Sequence, residues 1–217
     1  LGIAPAYKIS VIPVGVDTAK FEPLRYHSPH PGPLTIGTVA RLVPEKGIET
    51  LLESLVKLQT AGHEVIGLIV GEGRLLASFK QRAQSLGLQD YVFFAGYQQD
   101  VRPWLAQMDI FALPTQREGL SVAVLEAMSM ELPVVVSDLP AFHDVVIPEQ
   151  TGLGAGDWVA QLTRLVNDPV LRRTLGTAAR AHVREFYEQA DACRAYERVI
   201  LGCEWLREEY AQTPGMD

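Results

Sequence analysis

Leu34-Thr35-Ile36-Gly37-Thr38-Val39-Ala40-Arg41-Leu42-Val43-Pro44-Glu45-Lys46-Gly47 decides the fold. Its first half, Leu34–Ala40, reads as a strand. Past Gly47, apolar residues fall at Ile48, Leu51, Leu52, Leu55 and Leu58, the three-and-four spacing of an amphipathic helix reaching Ala61. Strand, short loop and helix make the first half of a βαβ unit, and the rhythm continues. Glu64–Gly71, Tyr91–Ala95, Ile110–Leu113 and Val134–Ser137 read as strands. Between them, Leu75–Leu86 reads as a helix closed by Gly87, Asp100–Met108 as a short helix with Asp100 as N-cap, and Ser121–Met130 as a helix. Continuous apolar strands alternating with helices predict a parallel sheet covered on both faces, an α/β fold of Rossmann-like, three-layer α/β/α type. After Asp138 no strand is expected. Three helices follow: Asp157–Asn167 capped by Asp157, Val170–Phe186 beyond the Asp168-Pro169 break, and Ala190–Tyr210.

Residues 1–33 are rich in proline and irregular, with one β-like run, Ile9–Ile12. They read as an entry segment, with 34–186 as the domain proper and 187–217 as a terminal helix. The whole chain has 217 residues, enough for one domain or one and a half. Its apolar runs are strand-sized, far short of the ~20 residues of a membrane helix. It opens on Leu1 without a charged and apolar leader, and is expected to be a piece of a longer protein with no signal peptide. A net charge of −7 argues against a nucleic-acid partner but leaves room for a local basic pocket. Cys193 and Cys203 are too few for a disulfide framework and read as buried or half-buried thiols of a reducing compartment.

In an open parallel sheet the ligand sits beyond the carboxyl ends of the strands, so the loops there carry the chemistry. In the first, Arg41 and Lys46 precede a helix start, where free N–H groups already favour an anion. The pair suits a phosphate or diphosphate, Arg41 offering a bidentate fork. The same two residues also read as solvated cations beside Glu45. In the second, Gly71-Glu72-Gly73-Arg74 fails the dinucleotide fingerprint, because Leu76 stands where its third glycine belongs. In the third, Glu118 and Glu126 stand with seven residues between them, Glu118 in a loop and Glu126 in the following helix. Gly119 permits close backbone approach, and Ser121 is placed to cap the helix. Carboxylates accept hydrogen bonds from vicinal hydroxyls, which suits a ribose or a sugar. A turn residue and a helix-surface charge are the alternatives for Glu118 and Glu126. A glycosidase pair fits poorly, since such carboxylates must flank one bond at a set separation. No two of His27, His30, His63, His143 and His182 stand at metal-ligand spacing on one helix; His143 alone lies in a loop near the expected cleft.

Taken in order, Gly37–Gly47, Leu68–Gly73, Val92–Gly96, Glu118-Gly119 through Glu126-Ala127-Met128, and Leu132–Val135 resemble the carboxyl-terminal, donor-binding domain of glycosyltransferase family 4. The resemblance covers nearly the whole chain. It implies one half of a retaining, GT-B-fold enzyme that moves a sugar from a nucleoside-diphosphate sugar, UDP- or GDP-linked, in polysaccharide biosynthesis. It implies no metal or other cofactor. By motif, Arg41 and Lys46 match the pair holding the diphosphate, Glu118 the residue contacting the donor sugar, and Glu126 the residue binding the ribose. Gly119, Leu120, Ser121 and Val122 match the backbone near phosphates and sugar, Tyr97 a position near the base, and Gly71 a loop close to the nucleotide. The acceptor, sugar or lipid-linked, would bind a missing amino-terminal domain. That domain would also carry any attachment of this otherwise cytoplasmic protein to the inner membrane. A nucleotide-sugar-binding module without turnover and a GT-B-fold sugar-nucleotide epimerase are the alternatives.

The chain departs from the family pattern at several points. Val14 replaces an asparagine. Glu131 replaces a glycine, so the turn there is expected to differ. Pro140-Ala141 replaces a glycine pair, leaving the shape of the 138–144 loop open. The 152–157 segment is short, so the last edge strand is expected to be absent. Trp205, Leu206 and Tyr210, on a helix that would cross to the missing domain, are expected to be exposed.

Overall fold

The computed structural model describes residues 9–23 and 32–202. Six parallel strands form one sheet in the order β3-β2-β1-β4-β5-β6. They are β1 (Leu34–Val39), β2 (Val65–Val70), β3 (Val92–Gly96), β4 (Ile110–Leu113), β5 (Val134–Ser137) and β6 (Leu153–Ala155). The helices are α1 (Ile48–Thr60), α2 (Leu76–Ser85), α3 (Arg102–Leu105), α4 (Val122–Ser129), α5 (Trp158–Asn167), α6 (Pro169–Phe186) and α7 (Gln189–Gly202).

Strand residues alternate between two cores, as a pleated strand requires. Ile110, Ala112 and Val135 face one layer, with Leu51, Leu52 and Leu55 of α1, Phe79 of α2 and Leu162 of α5. Phe111, Leu113, Val134 and Val136 face the other, with Leu105 of α3, Val124, Leu125 and Met128 of α4, and Ala179 and Val183 of α6. β4 is buried at every position, which is why its residues are apolar without alternation. The expected three-layer α/β/α architecture is therefore the one observed.

Four expectations fail here. A strand does follow Asp138: β6 pairs parallel with β5 through Val135–Leu153, Val136–Gly154 and Ser137–Ala155. The Ile9–Ile12 run forms no strand, and Val11 is 90% exposed. Helix α3 is a single turn, and Val101 rather than Asp100 stands at its N-cap. Asp100 still accepts from the Arg102 N–H at 3.0 Å. Cys193 is exposed, not buried. The cap expected at α5 is present: Asp157 accepts from the Ala160 N–H. Asp168, expected only as a break, caps α6 by accepting from the Leu171 N–H.

The Glu131 turn keeps the left-handed conformation that glycine would favour, with φ 61°. Glutamate there carries a strain of roughly 1 kcal/mol instead of reshaping the turn. Helix α6 explains why the turn holds. Gly176 lies so close over it that a Cβ would stand 2.0 Å from the Glu131 carbonyl oxygen.

Part of the entry segment is bound to the domain. The Val16 N–H donates to the Tyr187 carbonyl, and the Gln189 N–H to the Val16 carbonyl. Phe21 is buried, and its carbonyl accepts from Ser129 Oγ and from Arg180, each at 3.0 Å. Residues 16–21 are thus tied to α4, α6 and the start of α7. Trp205, Leu206, Tyr210 and Cys203 lie outside the described residues.

Candidate functional site

The strand order reverses its direction of growth between β1 and β4, and such a switch point opens a crevice at the carboxyl ends of those strands. The loop after β1 carries Arg41 and Lys46, and the loop after β4 carries Glu118. The topology brings both to one place.

The two loops are stitched together. The Gln116 N–H donates to the Glu45 carbonyl at 2.7 Å. The buried Thr115 hydroxyl lies 2.9 Å from the carbonyls of both Glu45 and Arg117. Gly47 closes the first loop with φ 66°, and a Cβ there would stand 1.8 Å from the Pro114 carbonyl oxygen. Only glycine allows this approach. Held this way, Lys46 Nζ donates to Glu118 Oε2 at 2.6 Å, with the side chains 14% and 13% exposed. Arg41 is exposed and, among the described residues, has no carboxylate within ion-pair distance.

Helices α5 and α6 are both capped by aspartates, and α1 to α4 have no side-chain cap; two of these uncapped starts, those of α1 and α4, follow the loops of the site. Their first N–H groups remain available to an anion. Ser121 occupies the N-cap position of α4 and is buried, but its hydroxyl makes no cap bond, contrary to expectation. Leu120 is half-buried against the core and Val122 is exposed. At Gly119 a Cβ would meet no protein atom within 4 Å. No protein neighbour requires glycine there.

Glu126 is half-buried on α4 and makes no hydrogen bond or ion pair with Lys46 or Glu118. Burial pushes its carboxyl up to about 7; Lys20 opposes this and Asp100 adds to it. Asp100 itself is held near 2 by the Arg102 guanidinium. Nothing in the sequence marks Lys20 as part of the site, because it lies in the entry segment. The Asp17 side chain, accepting from the Ala19 and Lys20 N–H groups, fixes the turn that presents it.

Gly71 shapes a tight loop. With φ 127°, its Cα packs on β1, and a Cβ would stand 2.0 Å from the Ala40 carbonyl oxygen. Loop packing alone demands glycine. Tyr97 follows β3 and is 67% exposed, on a loop tied to Gly71 through its N–H bond to the Gly96 carbonyl. His143 pairs with Asp138 at 3.1 Å and lines a separate hollow with Asp144, His182 and Tyr187. Among the described residues no cluster of three or more His, Cys, Asp or Glu is placed to hold a metal, and no helix is long and apolar enough to cross a membrane.

Residues 22–182 match the family model described as glycosyl transferases group 1. The chain belongs to this family. Its relatives include the amylovoran biosynthesis glycosyltransferase AmsK of Erwinia amylovora, 31% identical over 212 residues, covering 90% of this chain and 51% of that protein. The lipopolysaccharide core biosynthesis mannosyltransferase LpcC of Rhizobium leguminosarum bv. viciae is 28% identical, covering 89% and 60%. This group 1 chain thus spans about half the length of curated relatives it matches. Anabaena Alr3699/HepE, solved with UDP and glucose, superposes with TM-score 0.76 at 20% identity, covering 87% of this chain and 55% of that one. The C-terminal domain of a group 1 family protein (LpcC) from Francisella tularensis superposes with TM-score 0.70 at 23% identity, covering 80% of this chain and 99% of that one. The fold is accordingly that of one Rossmann-like half of a GT-B glycosyltransferase.

Proposed function

We propose that this chain is the donor-binding half of a retaining glycosyltransferase of the family 4 type, acting on a nucleoside-diphosphate sugar. The observation that carries the reading is the contact of Lys46 with Glu118 at the β1/β4 switch point, on the two loops that also carry Arg41 and lead to the uncapped starts of α1 and α4. Transfer breaks the bond between the sugar's anomeric carbon and the diphosphate oxygen, and forms one to the acceptor oxygen. The acceptor's proton passes to the leaving diphosphate. Negative charge builds on that diphosphate, and Arg41, Lys46 and the helix N–H groups stabilise it without a cofactor. Glu118 accepts from sugar hydroxyls and Glu126 from the ribose. The open face of Gly119 fits close approach by the donor. Acceptor binding belongs to a second, amino-terminal domain, and so does any association of this cytoplasmic enzyme with the inner membrane. The HepE complex with UDP and glucose and the mannosyltransferase relatives support the substrate class.

Calorimetric titration with UDP, GDP and ADP tests the assignment. One nucleotide binds selectively, and Arg41→Ala weakens it several-fold or more, as expected on losing a charge-assisted contact to a diphosphate. Unchanged affinity in the variant removes Arg41 from the site.

A further inference from the structure

The contact between Lys46 and Glu118 joins a cation assigned to the diphosphate with a carboxylate assigned to the sugar. Both side chains are mostly buried, so water screens their interaction weakly. Both sit on loops fastened to one another, so neither charge can leave by swinging its whole loop away. A diphosphate entering the crevice must share the Lys46 ammonium with Glu118 and meets the repulsion of that carboxylate. When a sugar is attached, its hydroxyls supply hydrogen-bond donors to Glu118, and the carboxylate no longer depends on Lys46. Once the sugar has gone, those donors go with it. We infer that Glu118 competes with the free nucleoside diphosphate for Lys46, so that the site favours the intact nucleotide sugar over the nucleotide left after transfer. Arg41, exposed and without a carboxylate partner among the described residues, is not subject to this competition. The inference rests on the proposed donor site and assigns Glu118 a second role there, as a specificity determinant.

The test compares the tightest binder among UDP, GDP and ADP with the matching nucleotide sugar (UDP-glucose, GDP-mannose or ADP-glucose). Wild type, Glu118→Gln, Lys46→Met, Arg41→Ala and the two double variants with Glu118→Gln are titrated. Glu118→Gln leaves Lys46 a carbonyl acceptor but removes the negative charge. It tightens the free diphosphate by roughly tenfold while leaving the nucleotide sugar unchanged or weaker. The gain vanishes in the Lys46→Met background and persists with Arg41→Ala, because only the first pair is coupled. Glu118→Asp, which shortens the reach by one methylene, gives a smaller gain and serves if the glutamine variant folds poorly. If Lys46→Met weakens the diphosphate but neither Glu118 variant tightens it, the competition is refuted and the donor site stands. If Lys46→Met has no effect, or no nucleotide binds wild type or Glu118→Gln, the donor assignment itself falls and the inference with it.

Discussion

Gly47→Ala destabilises the domain by about 3 kcal/mol, a fall in Tm of roughly 6–12 °C. Two penalties combine. The left-handed backbone at φ 66° costs a residue with a Cβ roughly 1 kcal/mol. The remainder comes from the Pro114 carbonyl oxygen, 1.8 Å from where that Cβ would stand, which must be pushed aside. Moving it separates the loop after β1 from the loop after β4, and with them Lys46 from Glu118. Gly87→Ala is the control. Its φ of 74° is similar, but a Cβ there meets nothing within 4 Å, so only the backbone penalty applies. Thermal melts of the two variants separate the terms. Equal losses would show that close approach of the loops does not hold the site together.

Glu126→Gln is expected to stabilise the protein at pH 8 and to leave it unchanged at pH 4. The carboxyl rises from its ordinary 4.5 to about 7 because folding buries it. Between those values the folded protein binds a proton that the unfolded chain has released, so this contribution to stability is complete below about 4.5. It declines as pH rises and is lost above 7. Glutamine, isosteric with the neutral acid, removes the titration and gains about 1–2 kcal/mol at pH 8, after solvent screening of a half-buried group. A strained charge of this kind is what a binding residue retains at the expense of stability. If ribose hydroxyls donate to the carboxylate, nucleotide binding favours its ionised form, and affinity rises more steeply from pH 6 to pH 8 in wild type than in Glu126→Gln, where only the ligand's terminal phosphate still titrates. Denaturation curves and titrations at pH 4, 6 and 8 provide the check. A flat stability difference across that range would contradict the buried-carboxyl account.

The sequence makes the local elements legible because their signals are local. The spacing of Ile48, Leu51, Leu52, Leu55 and Leu58 exists only to bury one face of α1, and the helix observed ends within a residue of the one expected. What periodicity does not carry is pairing across distance. The 72 residues separating Lys46 from Glu118 hide their contact, and Thr115 and Lys20 offer no local sign of the partners they face. β6 is not legible in the sequence because Leu153-Gly154-Ala155 has little strand propensity of its own and is ordered by pairing with β5. Ser121 shows the converse case, in which a residue type with a familiar local role does not perform it. It sits at the cap position of α4 without capping.

The central claim is that a nucleoside diphosphate binds between the loops after β1 and β4. A crystal structure of this chain with UDP, or with whichever of UDP, GDP and ADP binds it most tightly, tests that claim most directly. The account predicts the diphosphate at the starts of α1 and α4, within reach of Arg41 and Lys46, with the ribose at Glu126. A nucleotide bound elsewhere on the fold, or a crevice that stays empty at saturating nucleotide, would contradict it.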